Sequence, residues 1–266
     1  MKTLYFDCFS GISGDMVIGA LLDAGGDALH LETELKKLKI EEEYQLKWKK
    51  IVKNGITATK FDVKLMNDHH GHYHEHGYYH ENGHHHEHGD EHHHHHRSYQ
   101  DIVKLIESAD YHEHVKDTAL NIFKKIGEAE GKIHGMPLEE VHFHEVGAVD
   151  SIIDIIGTAL LLHHLNINTV KASAIPVGSG SIHIDHGVYP VPAPATLEIL
   201  KGVPLGKSEL KAELTTPTGA AIATVLAEEF CTLPAMRVEA IGYGAGTKTF
   251  KDHPNVLRVI IGEETR

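Results

Sequence analysis

The hydrophobic positions near the N-terminus follow first a strand period and then a helix period. Residues 3–9 form a short apolar run typical of a buried strand, and residues 11–26 predict a turn and a helix that ends at two glycines. Residues 44–66 then alternate apolar and polar side chains around Asn54-Gly55, a dipeptide that is common in tight hairpin turns. We therefore predict a strand, a helix and an antiparallel hairpin in this part of the chain.

Helical and extended patterns continue to the C-terminal end. Residues 98–134 predict two helices, and residues 149–165 predict one apolar helix. Segments rich in glycine and proline follow, then a helix over residues 215–230, and two strand-like segments at the end. This alternation predicts a single domain over residues 1–266, of the α/β to α+β class, with a mixed sheet and packed helices.

Histidine dominates an insertion between the hairpin and the next predicted helix. Fifteen of the 26 histidines lie in residues 69–96, which contain no aliphatic residue, so we predict a disordered loop. Neutral imidazoles suit Ni²⁺, Cu²⁺ and Zn²⁺, and many flexible ones bind metal weakly and with a strong dependence on pH. A solvated loop without a role is the alternative. The predicted metal ligands of the loop are His84, His85, His86, His92, His93 and His94.

Composition excludes several classes of function. The 25 basic and 38 acidic residues give a formal charge of −13, which argues against a protein that neutralises nucleic-acid phosphates. Two cysteines cannot build a disulfide framework. No apolar run reaches the roughly 18 residues of a membrane span, and the N-terminus resembles no secretory signal. We expect a cytoplasmic protein with neither a nucleic-acid nor a membrane partner.

A first candidate site lies between the first predicted strand and helix, in the segment DCFSGISGD. Its glycines permit close backbone approach, and the free N–H groups at the helix start suit a phosphate. The carboxylates of Asp7 and Asp15 are candidate ligands of a divalent ion. The alternative is a tight turn in which Ser13 caps the helix and Asp15 favours its dipole. The predicted substrate-binding residues here are Ser10, Gly11, Ser13 and Gly14.

A second candidate site spans residues 142–154. His142 and His144 project to one face of an extended segment, while Asp150 and Asp154 share one face of the helix that follows. Such a group suits a first-row metal ion such as Ni²⁺, Zn²⁺ or Mn²⁺. Solvated histidines and helix-capping acids are the alternative. That alternative does not explain Asp154, because burial of an unpaired carboxylate in an apolar helix costs free energy.

Two further segments suit a ligand. The glycine-rich loop that contains His183, Asp185 and His186 precedes a helix, although a simple turn explains its glycines equally. At the start of another helix, Thr216 is a natural N-cap followed by proline and small residues, which would admit a phosphate. A well-capped helix is again the alternative. The predicted substrate-binding residues of this last segment are Thr216, Thr218 and Gly219.

At these residues the chain resembles the LarC family of nickel-insertion proteins. The resemblance rests on DCFSGISGDM, VHFHEVGAVDSIIDI, GSGSIHIDHGVYPVPAPAT, ELTTPTGAA and PNVLRVIIGE, which extend from residue 7 to residue 262. It implies insertion of Ni²⁺ into pyridinium-3,5-bisthiocarboxylic acid mononucleotide, which gives the nickel-pincer nucleotide cofactor of an acceptor enzyme, lactate racemase. It also implies dependence on CTP with Mn²⁺ or Mg²⁺. Family members continue past residue 266 into a C-terminal domain associated with CTP, where we expect the nucleotide site.

The implied reaction joins these residues in one hypothesis. Nickel insertion beside a ring carbon requires loss of that carbon's proton, so a base must lie near the metal. We predict that His142 or His144 holds Ni²⁺ while Glu145 or Asp150 accepts the proton. The activity would be that of a nickel cyclometallase of the lyase class, oligomeric and dependent on the C-terminal domain.

Two other functions stay open at this point. One is a nickel storage or carrier protein in which the histidine loop does the binding. The other is a hydrolase that uses Asp7 and Asp15 with a divalent ion on a phosphate ester.

Overall fold

Strands and helices alternate along the chain in the computed structural model, which describes residues 1–66, 97–143, 149–184 and 187–265. The strands are β1 (Lys2–Asp7), β2 (Tyr44–Lys53), β3 (Ile56–Leu65), β4 (Thr169–Ala172), β5 (Ile175–Pro176), β6 (Ser181–Ile184), β7 (Gly187–Pro190), β8 (Leu205–Gly206), β9 (Glu229–Phe230), β10 (Met236–Ala245) and β11 (Val256–Glu264). The helices are α1 (Gly14–Asp23), α2 (Ala28–Leu35), α3 (Tyr99–Ser108), α4 (Glu113–His134), α5 (Val149–His164), α6 (Pro194–Ile199) and α7 (Pro217–Leu226).

A seven-stranded mixed sheet forms the centre, in the order β2-β3-β10-β11-β1-β4-β9. β1 pairs antiparallel with β11, with Leu4 opposite Ile261, and parallel with β4 on its other side. The β2–β3 hairpin joins the sheet through a single parallel pairing of Gly244 with Thr59. The predicted mixed sheet with packed helices is therefore confirmed.

The core lies between this sheet and the helices. α1 packs against β3, β10 and β11, and α5 packs against α1 and α4. Both helices are apolar around most of their circumference, as expected for helices buried within a domain. The largest side chains of this core are fully buried and come from both layers; they include Phe6, Phe61, Phe123 and Ile18.

Local sequence signals account for several element boundaries. Asn54 and Gly55 both adopt positive φ angles, which matches the predicted hairpin turn. Ser98 caps α3 in a reciprocal capping box with Asp101. The predicted helix over residues 215–230 is too long, because α7 ends at Leu226 and Glu229–Phe230 pair with β4 instead. Pairing at the sheet edge outweighs the helical pattern there.

The predicted histidine loop, residues 69–96, lies outside the described residues, together with all six of its candidate metal ligands. Among the helices that the structure describes, none combines the length and apolar character needed to cross a bilayer.

Candidate functional site

A cleft of about 380 Å³ opens where the N-termini of α1 and α7 meet β3 and the first turns of α5. Four carboxylates line it, together with a lysine and several hydroxyl groups. The carboxylates belong to Asp15, Asp62, Asp150 and Asp154, and the lysine is Lys60. The hydroxyl-bearing residues are Ser13, Ser151, Thr216, Thr218 and Thr247. The fold thus brings parts of three separately predicted segments into one site.

Backbone contacts hold the two helix N-termini side by side. The N–H of Thr216 donates to the carbonyl of Ile12 at 3.2 Å, and the N–H of Ile12 donates to Thr215 Oγ1 at 3.3 Å. Gly219 makes this approach feasible, because a Cβ there would lie 2.0 Å from the carbonyl oxygen of Ile12. Thr216 Oγ1 caps α7 by accepting from the N–H of Gly219, as predicted.

Lys60 supplies the positive charge of the cleft. Its buried ammonium group lies 2.7 Å from Asp15 Oδ2 and 2.8 Å from Asp62 Oδ1, and it also donates to the carbonyl of Phe61. Burial lowers the pKa of Lys60, but the two carboxylates outweigh burial and leave the pKa above its ordinary value. Lys60 is therefore charged at neutral pH, and Asp15 and Asp62 share its single positive charge.

Asp154 is the least compensated group in the cleft. Its Oδ1 is closed to solvent and has no hydrogen-bond partner in the described part of the chain. Burial raises the pKa of Asp154 well above its ordinary value, and the nearby charges of Asp15 and Asp150 raise it further. The carboxyl packs against the start of α1, where a Cβ on Gly14 would lie 2.5 Å from Asp154 Oδ2.

Asp150 lies one helical turn away, at the mouth of the cleft. Its Oδ1 accepts from the N–H of Ser151 at 2.8 Å. Partial burial and the charge of Asp15 raise the pKa of Asp150. The Asp150 side chain keeps substantial contact with solvent, so burial raises its pKa less than that of Asp154.

The cleft therefore combines two kinds of wall. A single lysine faces four carboxyl groups, so the cleft is acidic, and Asp150 and Asp154 form the acidic side on α5. The N-terminus of α7, with the hydroxyls of Thr216 and Thr218, favours an anion on the other side. Such an arrangement suits a ligand that carries both a cationic and an anionic group.

The cleft also contains residues that the sequence did not single out: Lys60, Asp62 and Thr247. Burial of four consecutive residues in β3, from Ala58 to Phe61, places Lys60 inside the fold. In the sequence this lysine occupies an ordinary polar position of an alternating strand. The importance of Lys60 becomes visible only in the folded structure, which places the carboxylates of Asp15 and Asp62 beside it.

Thr247 reaches the cleft because Lys53 holds the β10–β11 connection in place. The buried ammonium group of Lys53 donates to the carbonyls of Thr247 and Lys248, at 3.3 and 3.1 Å, and to Thr249 Oγ1 at 2.9 Å. Asn54 Nδ2 adds a hydrogen bond to the carbonyl of Lys251. Hydrogen bonds from the turn of the β2–β3 hairpin therefore hold the β10–β11 connection in place.

Three residues predicted in the first segment lie away from the cleft. Asp7 forms an ion pair with Arg258, so the structure does not bring it together with Asp15. The hydroxyl of Ser10 is buried, where it donates to the carbonyl of Pro254 and pairs with His253 Nε2 at 2.8 Å. Gly11 adopts a positive φ against the backbone of Leu214 and shapes the turn.

Of the two histidine ligands predicted in the second segment, His142 and His144, the structure describes only His142. His142 is exposed, pairs with Ser98 in an isolated bridge and does not line the cleft. His144, Glu145, Asp185 and His186 lie outside the described residues. Within the described ranges, no three His, Cys, Asp or Glu side chains are arranged to hold a metal ion. The nickel ligands therefore stay a prediction.

Both cysteines are free thiols, and neither lines the cleft. Burial raises the pKa of Cys8 to about 12, which outweighs its hydrogen bond with Ser173. A thiol with that pKa is neutral at physiological pH and is a poor metal ligand, since the thiolate is the form that binds metal.

Comparison with known proteins gives consistent matches. The family model described as "Nickel insertion protein" matches residues 4–266. A Geobacillus kaustophilus protein named "Pyridinium-3,5-bisthiocarboxylic acid mononucleotide nickel insertion protein" is 54% identical over 267 residues, which cover 100% of this chain and 61% of that protein. A Clostridium kluyveri protein of the same name is 47% identical over 266 residues, which cover 100% of this chain and 63% of that protein.

A third relative, from Dictyoglomus thermophilum, is named "Putative nickel insertion protein" and is 45% identical over 263 residues, with 99% of this chain and 61% of that protein covered. The chain thus spans about three fifths of the length of these relatives. No solved structure matches it.

Proposed function

Because the chain belongs to the nickel insertion protein family, we propose that its cleft binds pyridinium-3,5-bisthiocarboxylic acid mononucleotide and is the place where Ni²⁺ enters this molecule. The relatives that carry this substrate in their names are longer than the chain. The proposed activity is therefore that of the longer protein, and the C-terminal part of the family is its partner.

One observation carries the proposal: the uncompensated carboxyl of Asp154 faces two helix N-termini within a single cleft. The named substrate combines a cationic pyridinium ring with a phosphate. The phosphate suits the N-terminus of α7, where Thr216 and Thr218 add hydroxyl groups. The ring suits the acidic side formed by Asp150 and Asp154. The opposed charges of the substrate would thus fix its orientation in the cleft.

The chemistry requires a proton acceptor beside the ring. Ni²⁺ replaces the hydrogen of a ring carbon, so one C–H bond breaks, one C–Ni bond forms, a proton leaves and the metal keeps its oxidation state. A carboxylate with a raised pKa is a stronger base than an ordinary one. We assign this role to Asp154, with Asp150 as the second candidate. The predicted base Glu145 lies outside the described residues.

The proposals for the nickel ligands and for the nucleotide requirement do not come from the cleft, but from the sequence and the family resemblance. Binding of Ni²⁺ by His142 and His144 is proposed from their spacing and from their closeness in sequence to Asp150. Dependence on CTP with Mn²⁺ or Mg²⁺, the lyase class, an oligomeric state and transfer of the product to lactate racemase follow from the family resemblance. We place the CTP site in the C-terminal part.

Two measurements test the proposal. Calorimetric titration of the chain with the mononucleotide should show binding that Thr218→Val weakens about tenfold, because the hydroxyl contact to an anion is lost. Reconstitution with the C-terminal part, CTP and Ni²⁺ should show an insertion rate that Asp154→Asn lowers about 100-fold or more. Asp110→Asn, an exposed carboxylate outside the cleft, is the matched control and should change neither value. An unchanged insertion rate in Asp154→Asn would exclude this residue as the base.

A nickel carrier remains the second candidate, and the fifteen histidines of residues 69–96 favour it. Deletion of residues 69–96 separates the two functions. If insertion at saturating Ni²⁺ survives the deletion, the loop supplies metal and the chemistry belongs to the folded domain. If every nickel-dependent property disappears with the loop, the carrier function is the correct one.

A further inference from the structure

Five histidines from three helices gather at the C-terminal end of α5, away from the cleft. They form two stacked pairs: the ring centroids of His30 and His164 are 4.5 Å apart, and those of His112 and His163 are 4.7 Å apart. The fifth, His114, lies 6.4 Å from His163. Asp154 and His164 are ten residues apart on α5, which is about 15 Å along the helix axis. We call this group the histidine patch.

We propose that His30 and His164 bind one divalent transition-metal ion, Ni²⁺ in this family, at a site separate from the cleft. Two imidazole nitrogens bound side by side to one ion at about 2.1 Å place their ring centres roughly 4.5 Å apart. The two rings are stacked with their centroids 4.5 Å apart, so both imidazoles lie within reach of one ion once side-chain rotation turns a nitrogen of each ring toward it. Water would have to fill the other positions, because the described side chains offer no group of three metal ligands.

The surroundings of this pair favour a cation. Asp27 caps α2 by accepting from the N–H groups of Leu29 and His30. This places a carboxylate next to the first turn of α2, close to His30. The C-terminal end of α5 adds the negative end of a helix dipole. Both features attract a divalent ion to the patch.

The second pair should bind less tightly. His112 Nδ1 accepts a hydrogen bond from the backbone N–H of His114 at 3.2 Å and so caps α4. A neutral imidazole that accepts at one nitrogen carries its proton on the other, so metal binding by His112 costs this cap. His30 and His164 are therefore the primary site.

Acylation by diethyl pyrocarbonate, mapped by peptide mass spectrometry, tests the site in the whole chain because it measures each histidine separately. Ni²⁺ should slow acylation of His30 and His164 about fivefold, since the lone pair that attacks the reagent is then bound to the metal. His112 should be protected less. Mg²⁺, which prefers oxygen ligands, should protect none of the three. Equal acylation of His30 and His164 with and without Ni²⁺ would refute the site, whatever happens in residues 69–96.

A variant distinguishes a shared ion from independent binding. His164→Gln removes one exposed ligand, and circular dichroism confirms that the chain still folds. The protection of His30 by Ni²⁺ should then disappear, while protection within residues 69–96 stays as in the wild type. His183→Gln, which removes an exposed histidine outside the patch, is the matched control and should leave the protection of His30 intact. Continued protection of His30 in His164→Gln would overturn the proposal.

Discussion

Asp154 and Gly14 lie against each other at the junction of α5 and α1, and no side chain fits between them. A Cβ at position 14 would lie 2.5 Å from Asp154 Oδ2 and 2.6 Å from its Cβ. The glycine of the first helix thus makes room for the carboxyl that we assign as the base. The position of this acid in the cleft depends on a residue more than a hundred positions earlier in the chain.

Gly14→Ala should destabilise the protein by about 1–3 kcal/mol, because the added methyl group overpacks this contact. A loss of stability would be informative, since alanine in an ordinary helical position stabilises a protein by about 1 kcal/mol relative to glycine. Urea denaturation measures the change. In an Asp154→Gly background, which removes both the carboxyl and the Cβ at position 154, most of the penalty should vanish, and a penalty that persists there would show that the Asp154 side chain is not its source.

Asp154→Asn should stabilise the fold most at high pH. A carboxyl whose pKa is raised by folding destabilises the native state once the pH exceeds its unfolded value, near 3.9. The wild type therefore loses stability as the pH rises from about 4 through the raised pKa, and the amide variant does not. Denaturation at pH 4 and pH 8 should give a stability difference that grows with pH. A difference independent of pH would contradict the raised pKa.

Lys60→Met should cost about 2–3 kcal/mol of stability. The substitution leaves the carboxylates of Asp15 and Asp62 without their cation, and we discount the usual penalty of a broken buried pair because both acids keep contact with water. Lys132→Met is the matched control. It removes an exposed ion pair with Glu198 and should cost less than about 1 kcal/mol. Equal losses in the two variants would place Lys60 among ordinary surface lysines.

Lys53→Met should loosen the β10–β11 connection without unfolding the sheet. Three hydrogen bonds to residues 247–249 disappear, so amide exchange in that segment should accelerate while exchange in β11 stays slow. Hydrogen exchange followed by mass spectrometry resolves the two segments. Lys49→Met, an exposed position on the same strand, serves as the control. Unchanged exchange in residues 247–249 would show that Lys53 does not hold this connection.

Two substitutions of Thr216 should distinguish its role in helix capping from a role in ligand binding. Thr216→Ala removes the oxygen that accepts from the N–H of Gly219 and should cost about 1 kcal/mol of stability. Thr216→Ser keeps an oxygen at the cap and should retain both stability and binding of the mononucleotide. Thermal denaturation and calorimetric titration measure the two effects. A serine variant as unstable as the alanine variant would contradict the capping role.

Local signals made the fold largely predictable. The hairpin around Asn54-Gly55, the cap of α3 at Ser98 and the cap of α7 at Thr216 depend on residues within a few positions of each other. The end of α7 was not predictable, because it is decided by pairing with β4, a segment about 60 residues away. Sequence patterns predict what neighbouring residues determine and fail where distant pairing competes.

The cleft was only half predictable for the same reason. Asp15, Asp154 and Thr216 stood out because a strand end, an apolar helix and a helix cap gave each of them an unusual context. Lys60 and Thr247 had ordinary contexts, since burial of one and placement of the other come from contacts made by distant elements. Ser10 had an unusual context as well, yet its hydroxyl does not face the cleft and donates a hydrogen bond to the carbonyl of Pro254.

The central strand pairing has a consequence for synthesis of the protein. β1 leaves the ribosome well before its antiparallel neighbour β11, which lies some 250 residues later in the chain. Pairings between such distant segments form slowly, because a long loop must close first. Until then, one edge of β1 is exposed to other chains and to chaperones. Translation pauses or chaperone depletion should therefore affect the yield of this protein more than its final stability.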